Sequence, residues 1–230
     1  MDPILFYGVP EGCSFGSIVA LEWLGEPYRL CRIAMPDVVS GPGFAGINPV
    51  GETPALMVED GTTLSQSMAI LGHVARQARG RGLAIAPDDE RLTEMLAFLN
   101  TRFFEAFTPL WHVMEHDSQG AERDVLTAYG QAAVTRAHRQ LEAWLGHRDW
   151  LVGDGPTLAD AYFAGIARWA DVHQTFPFGS FPALERLRAR LETDPAVRFA
   201  HAVERGEAAT SAGGFLGHVE LDAVERPRLP

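Results

Sequence analysis

Apolar and polar positions along the chain follow two different patterns. Up to about residue 78, short apolar runs alternate with helical spacing. Ile4-Leu5-Phe6-Tyr7, bounded by Pro3 and Gly8, predicts a buried strand. Ile18, Leu21 and Leu24 predict a helix over Ser14–Leu24, which Gly25 ends. Tyr28–Ile33 alternates as a second strand, and a loop rich in Pro and Gly follows it. Pro54–Glu59 predicts a third strand, and Asp60-Gly61 turns it back into Thr62-Thr63-Leu64. Gln66–Ala78 is helical, with Ile70 and Val74 on one face. The order β-α-β, loop, β-β-α matches a thioredoxin-like half.

Arg79-Gly80-Arg81-Gly82 and Ala86-Pro87-Asp88-Asp89 interrupt this pattern, so 79–88 reads as a linker. Beyond it the spacing is helical only. Leu92, Met95, Leu96, Leu99, Phe103 and Leu110 trace the stripe of one long helix whose last turn Pro109 should kink or end. Leu126 to Trp144 and Leu158 to Trp169 trace two more, and shorter helices follow at Pro182–Leu191 and Pro195–Arg205. The predicted fold class is α+β. A thioredoxin-like N-terminal domain spans 1–78 and an all-α domain spans 89–230. The segment from Gly206 is rich in Gly and Ala and reads as a mobile terminus.

Composition narrows the function classes. With 47% hydrophobic residues, 230 residues can bury a sizeable core. The net charge of −11 argues against nucleic acid or an anionic membrane surface as a partner. All 19 basic residues are Arg, so Schiff-base chemistry and a lysine-dependent phosphate loop are excluded. Two cysteines, Cys13 and Cys31, are too few for a disulfide scaffold. The start Met1-Asp2-Pro3-Ile4-Leu5 lacks the basic residues and long apolar run of a secretory signal. A cytoplasmic protein is expected.

Candidate chemistry lies in the first half. A proline opening a strand, as in Thr53-Pro54, donates no ladder hydrogen bond and is tolerated there. Were its bond cis, the backbone of Thr53 would face outward and could pair with an extended peptide. Only about 5–6% of X–Pro bonds are cis, so the residues alone favour trans. Gln66-Ser67 opens a helix, where free N–H groups and the helix dipole welcome a carboxylate, although plain capping by Ser65 or Ser67 explains the same residues. Cys13-Ser14 stands where the first strand turns into the first helix, a position that stabilises a thiolate; a small buried residue at a tight turn is the simpler alternative. Thr157-Leu158-Ala159-Asp160 fits a capping box and is a folding signal. His112 and His116 share a helix face, but two ligands are too few for zinc, and no metal is expected. Phe103, Phe104, Phe107 and Trp111 read mostly as core, with one or two available to line an apolar pocket.

Side by side, these residues make the chain resemble the glutathione S-transferase family over nearly its full length. Asn48-Pro49-Val50-Gly51-Glu52-Thr53-Pro54-Ala55-Leu56 is similar to the family's loop before a cis-proline, and Leu64-Ser65-Gln66-Ser67-Met68-Ala69-Ile70 to its γ-glutamyl-binding helix start. Gly153 to Tyr162 is similar to its helical-domain capping box. The resemblance implies glutathione as co-substrate, a small apolar electrophile as the second substrate, and a homodimer. It implies that Thr53, with Pro54 cis, holds the cysteinyl backbone and that Gln66 and Ser67 hold the γ-glutamyl group. Cys13 or Ser14 would face the sulfur, with Tyr7 a further alternative. Gly12-Cys13-Ser14 is nearest to the bacterial beta class, but Phe104 and Glu105 stand where that class carries a His-Lys pair. Conjugation of glutathione is the activity implied. A thiol transferase or peroxidase acting through Cys13, or a non-catalytic glutathione-binding module, stays open beside it.

Overall fold

Residue patterns and geometry agree closely across the first ninety residues of the computed structural model, which describes residues 1–87, 89–177 and 179–224. Strand β1 (Ile4–Val9) is buried along its whole length, as an apolar run in a central strand must be. Helix α1 (Phe15–Leu24) is buried at nine of its ten residues, and Gly25 ends it in the left-handed conformation at φ 71°. Strand β2 (Tyr28–Ala34) runs parallel to β1. A single-turn helix, α2 (Pro42–Ala45), lies within the loop that follows. Strands β3 (Ala55–Met57) and β4 (Thr63–Ser65) form an antiparallel hairpin, with β3 also antiparallel to β1. The hairpin turn is closed by Asp60 accepting from Thr62 N–H at 2.8 Å and by Gly61 at φ 84°. Strand β3 is shorter than the expected Pro54–Glu59. Helix α3 (Ser67–Gly80) absorbs Arg79 and Gly80 from the expected linker, whose Asp88 lies outside the described residues.

The single long helix expected over 92–110 is broken. Helix α4 (Glu90–Phe98) passes into a π-helical segment (Leu99–Phe104) and a 3₁₀ turn (Glu105–Phe107) before α5 (Thr108–Glu115). Pro109 sits in the first turn of α5, where a missing N–H costs nothing, so it starts a helix and does not end one. The side chain of Asn100, in the π segment, accepts from the Tyr162 hydroxyl at 2.8 Å. Helix α6 (Gly120–Leu145) covers the second stripe, but its buried face runs through Val134, Ala137, His138, Leu141 and Leu145, while Tyr129 and Trp144 of the expected stripe are exposed. Helices α7 (Leu158–Ala167) and α8 (Trp169–Val172) carry the third, and α9 (Pro182–Leu191) follows. The capping box is present: Asp160, fully buried, accepts from the Thr157 N–H at 2.8 Å, the Thr157 hydroxyl at 2.9 Å and the Leu151 N–H at 3.0 Å. Burial pushes its carboxyl up to about 6 from 3.8, against the pull of these hydrogen bonds. The aromatic residues Phe103 and Phe107 surround His138 of α6. Its Nδ1 hydrogen donates to the Val134 carbonyl at 2.8 Å, and burial lowers its pKa from 6.5 to about 4.

The last part of the chain departs most from expectation. Helix α10 (Pro195–Arg205), capped by Asp194 at its start and Gly206 at its end, packs on α1. The segment from Gly206, expected to be mobile, forms strand β5 (Phe215–His218), parallel to β2, and a 3₁₀ turn (Leu221–Ala223). The sheet order is β4-β3-β1-β2-β5. Contacts therefore divide the chain into Met1–Asp88 with Glu192–Pro230, and Asp89–Leu191. The expected boundary placed all of 89–230 in the helical domain; α10 and β5 belong with the sheet instead. Residues 225–230 lie outside the described residues.

Candidate active site

Three segments far apart in sequence meet at the end of β1. The Cys13 thiol donates to the Thr53 carbonyl, Sγ to O 3.4 Å, and the Ser67 hydroxyl donates to Cys13 Sγ at 3.8 Å. Two glycines make this convergence sterically possible. A Cβ on Gly8 would lie 2.2 Å from Thr53 Oγ1, and one on Gly12 would lie 2.3 Å from the Gly8 carbonyl oxygen. A Cβ does not come within 3 Å of a heavy atom from elsewhere in the fold, so β1, the cysteine turn and the Thr53 loop approach this closely only around glycine. The Thr53–Pro54 peptide is cis, as are Val9–Pro10 and Met35–Pro36.

Each segment is held by its own local bonds. Asn48, almost fully buried, donates from Nδ2 to the Glu52 carbonyl at 2.7 Å and accepts from the Val50 N–H at 3.2 Å, which fixes the turn leading to Thr53. Gln66 caps α3 with φ 75° and ψ 128°, a backbone state rarely adopted by a non-glycine residue. Its carbonyl receives the Ala69 and Ile70 N–H groups, which leaves the first N–H groups of α3 pointing outward without intrahelical partners. The Gln66 side chain donates to Glu52 Oε2 at 3.2 Å. Glu52 is thus a charged neighbour of the helix start that sequence reasoning did not single out. The only signal was its place next to Thr53.

The other candidates fall elsewhere. Ser14, expected as an alternative to Cys13, is fully buried, and its hydroxyl oxygen accepts the Gly8 N–H at 3.1 Å. It braces the cysteine turn from inside. Tyr7 is buried on β1, and its hydroxyl lies 3.3 Å from His218 Nε2 on β5. Burial raises its pKa, opposed by Arg32. Cys31 is buried in β2, and burial pushes its thiol up to about 12. His112 and His116 stack at 4.2 Å between ring centroids, and His116 Nδ1 bonds the His112 carbonyl. Among the described residues no group of three or more His, Cys, Asp or Glu is placed to hold a metal ion. Phe103 and Phe107 are fully buried, while Phe104 and Trp111 are half-buried and pack on Trp169.

A thiol-bearing turn, a cis-proline loop and a helix start gathered at one end of a thioredoxin-like sheet, in a chain that also has a helical domain, define a class of two-domain proteins that handle small thiols. The model of the glutathione S-transferase N-terminal domain matches residues 13–77, and that of the C-terminal domain matches residues 105–195. The chain belongs to the glutathione S-transferase family. Glutathione S-transferase GstA of Escherichia coli O157:H7 is 28% identical over 172 residues, covering 72% of this chain and 81% of that protein. A sphingomonad glutathione S-transferase complexed with glutathione superposes with a TM-score of 0.75 at 29% identity, covering 88% of this chain and 98% of its own. A bacterial beta-class enzyme from Sphingomonas chungbukensis gives 0.73 at 27%, covering 87% of this chain and 98% of its own.

Proposed function

We propose that the protein conjugates the thiolate of glutathione to small apolar electrophiles, with Cys13 as the residue nearest the sulfur. The observation that carries this reading is the meeting of Cys13, Thr53 and Ser67 within hydrogen-bond reach. Thr53 would pair with the cysteinyl backbone of the tripeptide, as an added strand does. The outward N–H groups at the start of α3, with the Ser67 hydroxyl and the Gln66 amide, would receive the γ-glutamyl carboxylate. Glu52, which accepts from the Gln66 side chain, would meet the γ-glutamyl ammonium. A thiol with a pKa near 8.5 is mostly protonated at neutral pH, and lowering it by about two units makes thiolate dominant, at roughly 1.4 kcal/mol per unit. The N-terminus of α1 and a hydrogen bond from the Cys13 thiol supply stabilisation of that kind. The thiolate then attacks the electrophilic carbon and the leaving group departs with its electron pair. No metal takes part in this scheme.

The beta class fits the Gly12-Cys13-Ser14 turn, but no base stands where that class has its pair. Phe104 packs on Trp169, and Glu105 is exposed and accepts from the Thr108 hydroxyl. A cytoplasmic homodimer acting in detoxification completes the proposal. Among the described residues no helix is long and apolar enough to cross a membrane. The test is a crystal structure with bound glutathione together with turnover on an electrophile panel. Sulfur nearest to Cys13 and measurable conjugation support the reading; sulfur nearest to another side chain rejects the assignment.

The half-exposed thiol of Cys13 at a helix start favours one second reading. As a thiol transferase, the Cys13 thiolate would attack one sulfur of oxidised glutathione, form a mixed disulfide and release the other half as a thiolate. A Cys13 adduct seen by mass spectrometry after incubation with oxidised glutathione supports it. Steady conjugation without an adduct rejects it. Tight binding of glutathione with no turnover on the panel would instead indicate a non-catalytic binding module.

A further inference from the structure

The C-terminal segment is tied to the sheet more firmly than an added edge strand requires. Glu22 of α1, only 5% exposed, gathers donors from two places. Its Oε1 accepts the Tyr28 hydroxyl at 2.6 Å and the Ser211 hydroxyl at 2.7 Å, and its Oε2 accepts the N–H groups of Ala212 at 3.0 Å and Gly213 at 2.9 Å. Gly213 passes so close to α1, and Gly214 so close to the turn after it, that only glycine fits. A Cβ on Gly213 would lie 2.5 Å from the Glu22 carbonyl oxygen, and one on Gly214 would lie 1.8 Å from that of Glu26. Strand β5 then follows β2, with Tyr28 N–H donating to Gly214 O at 3.0 Å and Val219 N–H to Leu30 O at 2.8 Å. Past β5, Val219, Leu221 and Val224 pack on the cluster that holds Val39, Phe44 and Ile47.

That cluster is the inner side of the loop that ends at Thr53. Phe44 belongs to α2, Leu221 Cδ2 comes within 3.5 Å of the position a Cβ on Gly43 would take, and Ile47 precedes the Asn48 that shapes the turn to Glu52. We propose that the C-terminal segment is a positioning clamp for the glutathione site: Glu22 locks it, and Leu221 and Val224 hold the α2 loop so that Thr53 is pre-set for the tripeptide. This rests on the glutathione-binding reading above. A loop already held in its bound form loses less conformational freedom on binding, so the clamp acts on affinity and not on the chemical step. None of the clamp residues lies among those placed against the sulfur.

The double variant Leu221→Ala/Val224→Ala removes the packing and keeps the Glu22 lock; Ser211→Ala is the milder second variant, loosening the lock alone. Glutathione affinity is read by calorimetry, and KM for glutathione and kcat with a chloronitrobenzene electrophile. Amide hydrogen exchange over residues 43–50 is read with no ligand present. The expected result is a five- to twentyfold rise in Kd and KM for glutathione, kcat at saturating glutathione within twofold of the parent, and faster exchange over 43–50. Unchanged affinity in both variants, or unchanged exchange over 43–50, overturns the clamp. A parallel fall of kcat and of melting temperature overturns it too, because that pattern is a general loss of structure. If the parent protein itself fails to bind glutathione, the binding reading fails, and faster exchange in the variants would still establish the mechanical link.

Discussion

Two buried groups in the helical unit should make its stability respond to pH in opposite directions. Asp160 has its pKa raised, from 3.8 to about 6. The folded state therefore binds its proton more readily than the unfolded chain, so this group's stabilising effect is complete below pH 3.8 and lost as pH rises through about 6. His138 has its pKa lowered, from 6.5 to about 4, so its effect is complete above pH 6.5 and lost as pH falls through about 4. Taking the protein from pH 7 to pH 5, the release of strain at Asp160 and the cost at His138 each come to roughly 1–2 kcal/mol with opposite signs. In the parent the two nearly cancel. Asp160→Asn should lose about 1–2 kcal/mol more than the parent over this interval, and His138→Leu should gain by a similar amount. Asp160→Asn is also weaker at every pH, because an amide nitrogen cannot accept from the Leu151 or Thr157 N–H. That offset drops out when the change with pH is compared. Urea unfolding read by tryptophan fluorescence is the assay, since Trp111, Trp144, Trp150 and Trp169 all lie in this unit. If either variant follows the parent's pH dependence to within about 0.5 kcal/mol, comparable to the additivity error of independent sites, the reasoning is refuted.

Ser67→Ala should weaken glutathione binding more than Cys13→Ala does, because it removes a donor from the helix start proposed to hold the carboxylate; calorimetry giving the reverse order would count against that assignment. Gly8→Ala should cost about 1–3 kcal/mol of stability by overpacking and also weaken glutathione binding, since its new methyl meets Thr53 Oγ1 at 2.2 Å. Normal affinity in a melted-down variant, or no effect on either quantity, would show that Thr53 gives way freely. Glu52→Gln should lower affinity for glutathione but not for a glutathione analogue lacking the γ-glutamyl amine, and equal losses for the two ligands would remove Glu52 from the site.

Much of the fold was legible because single physical signals decided it. Gly25, Asp60-Gly61 and the Thr157–Asp160 box each fix a local geometry with little help from the rest of the chain. Legibility failed where the reason for a residue is a distant neighbour. Gly213 and Gly214 carry the composition of a loose tail, yet they are glycine because the backbone of Glu22 in α1 and of Glu26 in the turn after it would lie within 3 Å of any Cβ there. Glu22 stands on a helix, and its burial is matched by donors that arrive from Tyr28 and from the distant Ser211–Gly213. The break between α4 and α5 was hidden for another reason: Leu99 and Phe103 keep their apolar stripe through the π segment, so the hydrophobic period does not register it.

The site divides in the same way. In the proposed site, holding the tripeptide would depend chiefly on backbone groups: the Thr53 backbone, the first N–H groups of α3, and the glycines that let Cys13 approach. Such features need particular residues at particular turns, so they leave recognisable strings in the sequence, as 48–56 and 64–70 do. Setting the sulfur's reactivity depends on whichever single side chain ends nearest to it, and one side chain leaves no string. For that reason the sequence left Cys13 and Ser14 undecided, with Tyr7 as a further alternative. Three-dimensional placement separates them: Ser14 is engaged by the Gly8 N–H inside the fold and Tyr7 faces His218, whereas Cys13 alone stands between Thr53 and Ser67. A thiol in that position can assist a bound thiolate or form a disulfide with it. The choice between conjugation and thiol transfer therefore turns on whether the bound sulfur stops at hydrogen-bond distance from Cys13 Sγ or closes to a covalent bond of about 2.05 Å.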